Sequence, residues 1–448
     1  MAAHRSRDAG GPLPQKLYNG LVVPAARVAL GGLVRLRPRL AREVAARRGV
    51  EFRWEAAAAR TAGCRPRIWV HASSAGETLQ ARPLIEAIRA GRPGAAIFFS
   101  FFSTSAERLV AGWEAPDASD YLPFDWPRPV RRVVHAIAPD ALVLVSAELW
   151  PNLIWTAAER GASLAQVCCR VAGGSRRLEP PLRALTRRLY RDFRAITAVS
   201  EEDAALLRQA GVPADTVAVT GDTRVDATLA RLRGANPDPL PWRRDPGGGP
   251  VIVAGSTWPA DEAVVLEAVA RLRERFPGLV LVLAPHEPTP KALERAARRA
   301  RAHGLAAERL GRLAGGDGAR PAGDAAMLAV ILVDRIGILH RLYDAADLAY
   351  VGGGFGGAVH NTLEPAAHGV PIAVGPNHGR PHEVEAMRQA GGLVPVRGTT
   401  ELIALWQRWL SDPIARERAG RAARSFLDRE AGATERTLGF LRERGLPV

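Results

Sequence analysis

Ile68-Trp-Val-His-Ala-Ser-Ser-Ala-Gly-Glu77 combines a short apolar run, a turn of small residues and one acidic side chain. Residues 68–70 predict a buried strand, and the apolar spacing over residues 79–90 predicts a helix. Small side chains let the backbone of the turn approach a ligand closely. Glu77 stands at the helix entrance, where free N–H groups and the helix dipole favour a carboxylate. The pattern leaves two interpretations of Glu77 open, a catalytic base and an N-terminal cap, and the cap is the commoner.

The same alternation of apolar runs and helical segments continues along the chain. Further runs of strand length lie at residues 96–102, 141–145, 162–167, 195–199, 251–254, 279–284, 328–333, 348–351 and 371–374. Strands separated by helices predict parallel sheets that are covered on both faces. The sequence therefore predicts an α/β fold with two Rossmann-like domains facing a central cleft, and ligands at the carboxyl ends of the strands.

Composition sets the domain boundaries. Residues 234–250, rich in Pro and Gly, predict a linker. It separates a first domain, residues 49–233, from a nucleotide-binding domain, residues 251–448. In the second domain, residues 313–323 predict a loop and the tail from Asp412 predicts helix.

The N-terminal segment, residues 1–48, carries an apolar stretch over residues 17–34. Pro24 and Arg27 interrupt this stretch, and four arginines follow it closely, so it falls short of a clear transmembrane helix. An apolar segment trailed by arginines is typical of an interfacial anchor on the anionic cytoplasmic leaflet of a membrane. A helix packed on the first domain fits the pattern equally well.

The chain of 448 residues has a formal net charge of +15, and nearly all its basic residues are arginine. The arginines are scattered among acids rather than gathered with aromatic residues, so a nucleic-acid partner is not predicted. The three cysteines, Cys64, Cys168 and Cys169, form neither a disulfide framework nor a zinc pattern. The chain is therefore predicted to be reduced and cytosolic.

Two post-strand segments of the first domain carry candidate catalytic residues. Ser146-Ala-Glu-Leu-Trp-Pro-Asn152 places Glu148 at the carboxyl end of a strand. Gly221-Asp-Thr-Arg-Val-Asp226 offers Arg224 for a phosphate or carboxylate. For each residue, an ordinary ion pair or surface position is about as compatible with the pattern as a functional role.

In the second domain, the most specific feature is Gly352-Gly-Gly-Phe-Gly-Gly-Ala-Val-His-Asn-Thr-Leu-Glu-Pro365. The glycines allow a tight turn and close ligand approach, and Asn361 is expected to start a helix. Backbone amides would bind a phosphate and Glu364 the ribose hydroxyls, although Asn361 and Glu364 also have the spacing of a capping box. Ala254-Gly-Ser-Thr257 follows another strand, where a phosphate commonly meets backbone N–H groups. No histidine has metal-ligand spacing, so no metal is predicted.

Taken together, the chain resembles the 3-deoxy-D-manno-octulosonic acid (Kdo) transferases of lipid A biosynthesis, which are GT-B glycosyltransferases. The resemblance runs from about residue 17 to the C-terminus. It rests on ordered motifs: Val70-His-Ala-Ser-Ser-Ala-Gly-Glu77, Glu148-Leu-Trp-Pro-Asn152, residues 221–226, Ala254-Gly-Ser-Thr257, and residues 352–366 with the core His360-Asn-Thr-Leu-Glu-Pro365.

The resemblance implies inverting transfer of Kdo from CMP-Kdo to a lipid A precursor, lipid IVA, without a metal or other cofactor. Glu77 matches the family's base, and Glu148 and Arg224 match positions that stabilise the transition state. The residues expected to contact CMP lie in the turns that follow strands of the second domain: Ser256, Thr257, Pro285, His286, Ile336, Gly337, Ile338, Gly353, Gly354, His360, Asn361, Thr362, Leu363 and Glu364.

The sequence departs from the family pattern in three places, one of which is a Gly-rich turn, residues 352–357, that is shorter than in many members. Many members have Pro-Arg-His where this chain has Pro285-His-Glu287, so His286 or another arginine must meet the phosphate. The usual lysine is Arg224 here, which keeps the charge but changes the geometry. Two alternatives remain: another GT-B enzyme, such as a UDP-sugar transferase or an epimerase, and a catalytically silent membrane-binding scaffold.

Overall fold

The computed structural model describes residues 13–146, 148–171, 179, 182–234, 248–314, 328–379 and 381–448. The chain divides into two compact units, and the first is Met1–Ala227 together with Gly432–Val448. The second unit is Thr228–Ala431. Most of the predicted linker, and the predicted loop from residue 315 onward, lie outside the described residues.

The C-terminus corrects the predicted domain boundary. Residues 251–448 were assigned to the second domain, yet Gly432–Val448 belongs to the first unit. Leu438 and Leu441 are buried in the first hydrophobic core, and Arg92 donates to the Val448 carbonyl oxygen over 3.1 Å. The tail is helical as predicted, but only its last helix, Ala433–Glu443, is buried in the first unit's core, whereas Pro413–Glu430 belongs to the second unit.

The first unit is a parallel sheet of seven strands in the order β3-β2-β1-β4-β5-β6-β7. The strands are β1 Arg67–Ala72, β2 Ala96–Phe101, β3 Ala118–Tyr121, β4 Ala141–Val145, β5 Ser163–Cys169, β6 Phe193–Ala198 and β7 Val217–Val219. Every residue of β1, β2, β4 and β5 is buried. Both faces of the sheet are therefore covered, as continuous apolar runs predict.

The second unit repeats this architecture in the order β10-β11-β9-β8-β12-β13-β14, again fully parallel. Its strands are β8 Val251–Thr257, β9 Val280–Pro285, β10 Ala306–Arg309, β11 Leu328–Leu332, β12 Leu348–Val351, β13 Ile372–Val374 and β14 Leu393–Pro395. The two Rossmann-like units predicted from the sequence are confirmed.

Helices connect the strands. Those of the first unit are α1 Leu13–Leu17, α2 Val23–Leu36, α3 Pro38–Ala46, α4 Val50–Arg60, α5 Ala75–Gly91, α6 Glu107–Val110, α7 Pro127–Ile137, α8 Pro151–Glu159, α9 Leu182–Tyr190, α10 Glu201–Gln209 and α11 Thr223–Arg233, whose last turns enter the second unit. The second unit contains α12 Pro259–Arg273, α13 Pro290–Ala302, α14 Leu310–Ala314, α15 Leu339–Leu342, α16 Leu363–Ala367, α17 His382–Gln389, α18 Thr399–Ser411 and α19 Pro413–Glu430. The last helix, α20 Ala433–Glu443, returns to the first unit.

The N-terminal segment is continuously helical over Leu13–Leu36, with a π-helical turn at Tyr18–Val22 directly before Pro24, where the α-helical hydrogen-bond pattern is already interrupted. These 24 residues are long and apolar enough to cross a membrane by length and composition alone. The expectation that the stretch is too short is thus wrong. Only 6% of its apolar window is buried, yet the helix contacts the first unit: Tyr18 donates to Asp125 at 3.0 Å and packs edge-on against Trp155, and Arg27 lies over the Trp126 ring.

Candidate active site

The predicted site residues cluster where each parallel sheet changes winding direction. In the first unit β1 and β4 are neighbours although β2 and β3 intervene in sequence. In the second unit β8 and β12 are neighbours in the same way. In such sheets ligands bind outside the carboxyl ends of the strands at this switch point.

Glu77 occupies the first turn of α5, just beyond β1, and its carboxylate is a cap. It accepts hydrogen bonds from the amides of Ser73 at 2.5 Å and Ser74 at 3.1 Å. The Ser74 hydroxyl in turn accepts from the Glu77 amide, which completes a capping box. The cap interpretation is therefore confirmed, and the half-buried carboxylate keeps solvent-facing surface for a second role.

Glu148 follows β4, the neighbour of β1, and Ser73 links it to Glu77. The Ser73 hydroxyl donates a short hydrogen bond to the Glu148 carboxylate, while the Ser73 amide binds Glu77. Glu148 is half-buried, and its carbonyl oxygen accepts from the Gln166 side chain at 3.2 Å. Sequence reasoning missed Ser73, because one serine among small turn residues gives no signal that distinguishes it.

The helix after Glu148 is fixed by Asp125, a second residue that the sequence analysis missed. Asp125 accepts hydrogen bonds from the amides of Asn152 at 3.0 Å and Leu153 at 3.1 Å, which caps α8. The Asn152 side chain donates to the Asp125 carbonyl oxygen at 2.6 Å, so it is a structural residue. Burial raises the pKa of Asp125 to about 6 despite these bonds.

Arg224 is held by Asp222 rather than projecting freely. Its guanidinium contacts the buried Asp222 carboxylate through Nε at 2.9 Å and Nη2 at 2.6 Å. Burial alone would raise the pKa of Asp222, but the cations of Arg224 and Arg170 hold it at about 2. Gln80, one turn beyond Glu77 on α5, also donates to Asp222 at 3.1 Å. Three motifs of the first unit are thus brought together around α5.

In the second unit, the buried carboxylate of Asp261 organises the Gly-rich turn after β12. It accepts from the Gly353 amide and the Tyr350 hydroxyl, each at 2.9 Å. It also accepts from the Trp258 amide at 2.9 Å, at the entrance of α12. Asp261 was not predicted, because an acid three residues into a helix is indistinguishable in sequence from an ordinary cap.

The glycines of this turn are required by close backbone contacts. A Cβ atom on Gly353, whose φ is +102°, would lie 2.1 Å from the Ala358 carbonyl oxygen. A Cβ on Gly354 would lie 2.7 Å from the Gly375 Cα, in the turn after β13. Any side chain at either position would displace the backbone, which confirms the tight turn predicted from the glycines.

Three rings stack beside the turn. The ring centroids of His286 and His360 are 4.2 Å apart, and those of Trp258 and His286 are 4.9 Å apart. The indole N–H of Trp258 donates to Nε2 of His360 at 2.8 Å. Burial, together with neighbouring His286, lowers the pKa of His360 to about 4. The pair is therefore uncharged at neutral pH, and Trp258 joins the site although the sequence did not indicate it.

The segment from Asn361 to Glu364 differs in detail from its prediction. The helix begins at Leu363 and has only five residues, with Thr362 as N-cap, while Asn361 accepts from the Leu363 amide at 3.1 Å. The predicted helix start at Asn361 and its capping box with Glu364 are therefore wrong. Burial raises the pKa of Glu364, and Arg231 lies 3.4 Å from its carboxylate.

The remaining predicted nucleotide residues also lie beyond the carboxyl ends of strands. Ser256 has a φ of +54°, and the Thr257 carbonyl oxygen accepts from the His286 amide at 2.9 Å, beside Pro285. The turn of Ile336, Gly337 and Ile338 follows β11, with Gly337 at a φ of +92° and Ile336 exposed. Within the described ranges, no three side chains of His, Cys, Asp or Glu converge as metal ligands would.

Two α/β units with parallel seven-stranded sheets and switch-point sites define the GT-B class of fold. A UDP-GlcNAc 2-epimerase from Neisseria meningitidis shares this fold, with a TM-score of 0.60 at 14% identity over 84% of this chain and 99% of that chain.

Sequence comparison identifies the family within that class. The family model described as 3-deoxy-D-manno-octulosonic-acid transferase matches residues 42–227. A 3-deoxy-D-manno-octulosonic acid transferase of Bordetella pertussis is 33% identical over 84% of this chain and 87% of its own length. Its counterpart in Haemophilus influenzae is 27% identical over 84% and 86%. The chain belongs to the 3-deoxy-D-manno-octulosonic-acid transferase family and is a glycosyltransferase.

Proposed function

We propose that the protein transfers Kdo from CMP-Kdo to a lipid A precursor, with inversion at the anomeric carbon. The observation that carries the proposal is the pair of carboxylates, Glu77 and Glu148, held by one serine at the carboxyl edge of the first sheet. Family membership supports Kdo as the transferred sugar.

In the proposed mechanism Glu77 removes the proton from the acceptor hydroxyl. The resulting oxygen attacks the anomeric carbon, and the bond to the phosphate of CMP breaks with its electron pair staying on the phosphate. General-base catalysis of this kind contributes about 10²–10⁴-fold. Glu148 stabilises positive charge on the sugar, and Arg224, oriented by Asp222, stabilises negative charge as it develops.

The second unit is proposed to hold the nucleotide. The compact Gly-rich turn, which Gly353 and Gly354 permit because neither carries a Cβ, is proposed to lie against the phosphate, while the Gly353 amide itself is bound to Asp261. Glu364 is proposed to accept hydrogen bonds from the ribose hydroxyls, and the neighbouring segment from Asn361 to Leu363 is proposed to contact CMP as well. His286 occupies the position of the family's arginine without its charge, and its ring stack gives the nucleotide a flat surface.

Metal independence and membrane attachment are part of the same proposal. Arginine and backbone amides would supply the charge stabilisation that a divalent cation supplies elsewhere. The exposed apolar helix Leu13–Leu36 would attach the enzyme to the anionic inner membrane, peripherally or as a single anchor, with both units in the cytoplasm. Flotation with anionic vesicles, with and without residues 1–36, tests the attachment.

Mass spectrometry of a lipid A precursor incubated with the purified protein tests the donor and acceptor together. CMP-Kdo should add the mass of Kdo, and the product should form equally in excess chelator. Parallel incubations with UDP-sugars test the alternative GT-B activity. If product forms with a UDP-sugar but not with CMP-Kdo, the protein is a different GT-B enzyme and the proposal is wrong. If the protein binds lipid but turns over no donor, the result supports a catalytically silent membrane-binding scaffold.

A further inference from the structure

Ser73 hydrogen-bonds both candidate carboxylates. It follows β1 directly and is only 7% exposed. Its amide lies 2.5 Å from the Glu77 carboxylate, and its hydroxyl donates to Glu148. The separation of the two carboxylates is therefore set by the geometry of a single, buried residue.

A row of buried polar groups lies behind the Ser73 hydroxyl. Nε2 of His71 is 3.2 Å from the Ser73 oxygen, and Nδ1 of His71 is 2.9 Å from the Ser100 hydroxyl. The Trp69 indole N–H donates to the same Ser100 oxygen at 2.9 Å. His71 and Ser100 face each other across the β1–β2 pairing and are at most 1% exposed. Neither exchanges its hydrogen bonds with bulk water.

The ends of this row fix the direction of every hydrogen bond in it. The Trp69 indole can only donate, and an ionised Glu148 can only accept. Burial lowers the pKa of His71 to about 3, so the ring is neutral and offers one donor and one acceptor. Ser100 therefore accepts from Trp69 and donates to Nδ1 of His71. Nε2–H of His71 then donates to Ser73.

We propose that Ser73 is a positioning residue for Glu148, and that His71 holds the Ser73 hydroxyl in the orientation that donates to this carboxylate. The bond keeps Glu148 fixed while charge develops on the sugar, and the Ser73 amide fixes Glu77 at the same time. The inference rests on the proposed function, and its kinetic test requires turnover of CMP-Kdo. A second test, which His71 nitrogen carries the proton, requires no turnover.

Steady-state kinetics of Ser73→Ala test the positioning role. Because the lost hydrogen bond is made to a charged group, kcat should fall about 10- to 100-fold. The KM for CMP-Kdo should change less than about twofold, because the second unit binds the donor. Ser73→Thr, which keeps the hydroxyl, should restore kcat to within about threefold of the original protein.

Ser119→Ala is the matched control. Ser119 lies on β3 of the same sheet, and its buried hydroxyl has no hydrogen-bond partner among the described residues. Its removal should leave kcat unchanged. A Ser73→Ala protein with kcat within about twofold of the original, or with the same small change as Ser119→Ala, would overturn the inference.

The His71 ring gives the second readout. Nitrogen-15 NMR of the full chain in detergent micelles should find Nε2 protonated and Nδ1 unprotonated, with the signal assigned by its loss in His71→Gln. Ser73→Ala should shift the Nε2 signal. The opposite tautomer would leave Nε2 without a proton, so His71 could not donate to the Ser73 hydroxyl, which overturns the inference. If CMP-Kdo proves not to be the donor, the proposed function fails while this readout still decides the inference.

Discussion

The two switch-point sites are built in opposite ways. In the first unit, side chains act: Glu77 and Glu148 are both held by Ser73. In the second unit, backbone acts: Gly353 and Gly354 bring the chain so close to other backbone that no Cβ fits. The first site should therefore be sensitive to isosteric changes that alter charge or hydrogen bonding, whereas the second should be sensitive to a single added methyl group.

The largest effect expected in the second unit is that of Gly353→Ala. The new Cβ would overlap the Ala358 carbonyl oxygen, and the φ of +102° is unfavourable for alanine. We expect CMP binding to weaken at least about 100-fold, because the turn must move away from the phosphate. Calorimetry measures this directly.

Gly357→Ala, in the same turn, has nothing within 4 Å of the added Cβ and serves as the control. Its CMP affinity should match that of the original protein. Normal CMP affinity in Gly353→Ala would mean that close backbone approach is not what the turn provides, and the contrast between the two sites would fail.

Asp261→Asn tests whether the backbone site depends on its buried organiser. Both oxygens of Asp261 accept hydrogen bonds, and in asparagine one of them is replaced by an NH₂ group, which would face an N–H or O–H donor. The free energy of unfolding should therefore fall by about 2–4 kcal/mol. Tyr350→Phe removes only one of these bonds and should cost about 1 kcal/mol. Urea unfolding compares them, and equal costs would contradict the organising role.

His71 predicts a pH dependence that belongs to the first site. Its folded pKa of about 3 lies below the unfolded value near 6.5, so between these pH values only the unfolded chain binds the proton. Stability should fall as pH falls through this window, by about 1.4 kcal/mol per pH unit from this residue. Unfolding midpoints of His71→Gln should depend less on pH than those of the original protein, and an unchanged slope would contradict the prediction.

The smallest effect is expected for Trp258→Phe. Phenylalanine keeps a ring to stack on His286 but loses the N–H that donates to His360. The loss of one such bond, about 1 kcal/mol, corresponds to roughly fivefold weaker CMP binding. Trp258→Leu, which also removes the stack, should bind more weakly still. If the two variants bind CMP with the same affinity, the ring stack does not contribute to CMP binding.

The sequence predicted the centre of each sheet but not its edges. The four strands it missed, β3, β7, β10 and β14, are the edge strands of the two sheets. An edge strand is short and partly exposed, so it does not need the continuous apolar run that marks a strand buried on both faces. Ala118–Tyr121, which reads Ala-Ser-Asp-Tyr, illustrates why no periodicity was detectable.

The same limit applies to the sites. The positions of Glu77, Glu148 and the glycines beyond the ends of strands were predictable, because each follows an apolar run of strand length. Ser73, Asp261 and Trp258 were not, because each acts through a partner distant in sequence: Ser73 with Glu148, and Trp258 with His360. Pairings of this kind depend on strand order, which a single sequence does not specify.

Turnover and CMP binding of Glu77→Gln, measured on the same preparation, test the central claim most directly. Glutamine keeps the shape of Glu77 and an oxygen for the Ser73 and Ser74 amides, but it cannot remove a proton. We predict that kcat falls by about 10²–10⁴-fold while the affinity for CMP changes less than about twofold. Near-normal turnover in Glu77→Gln would contradict the assignment of Glu77 as the base.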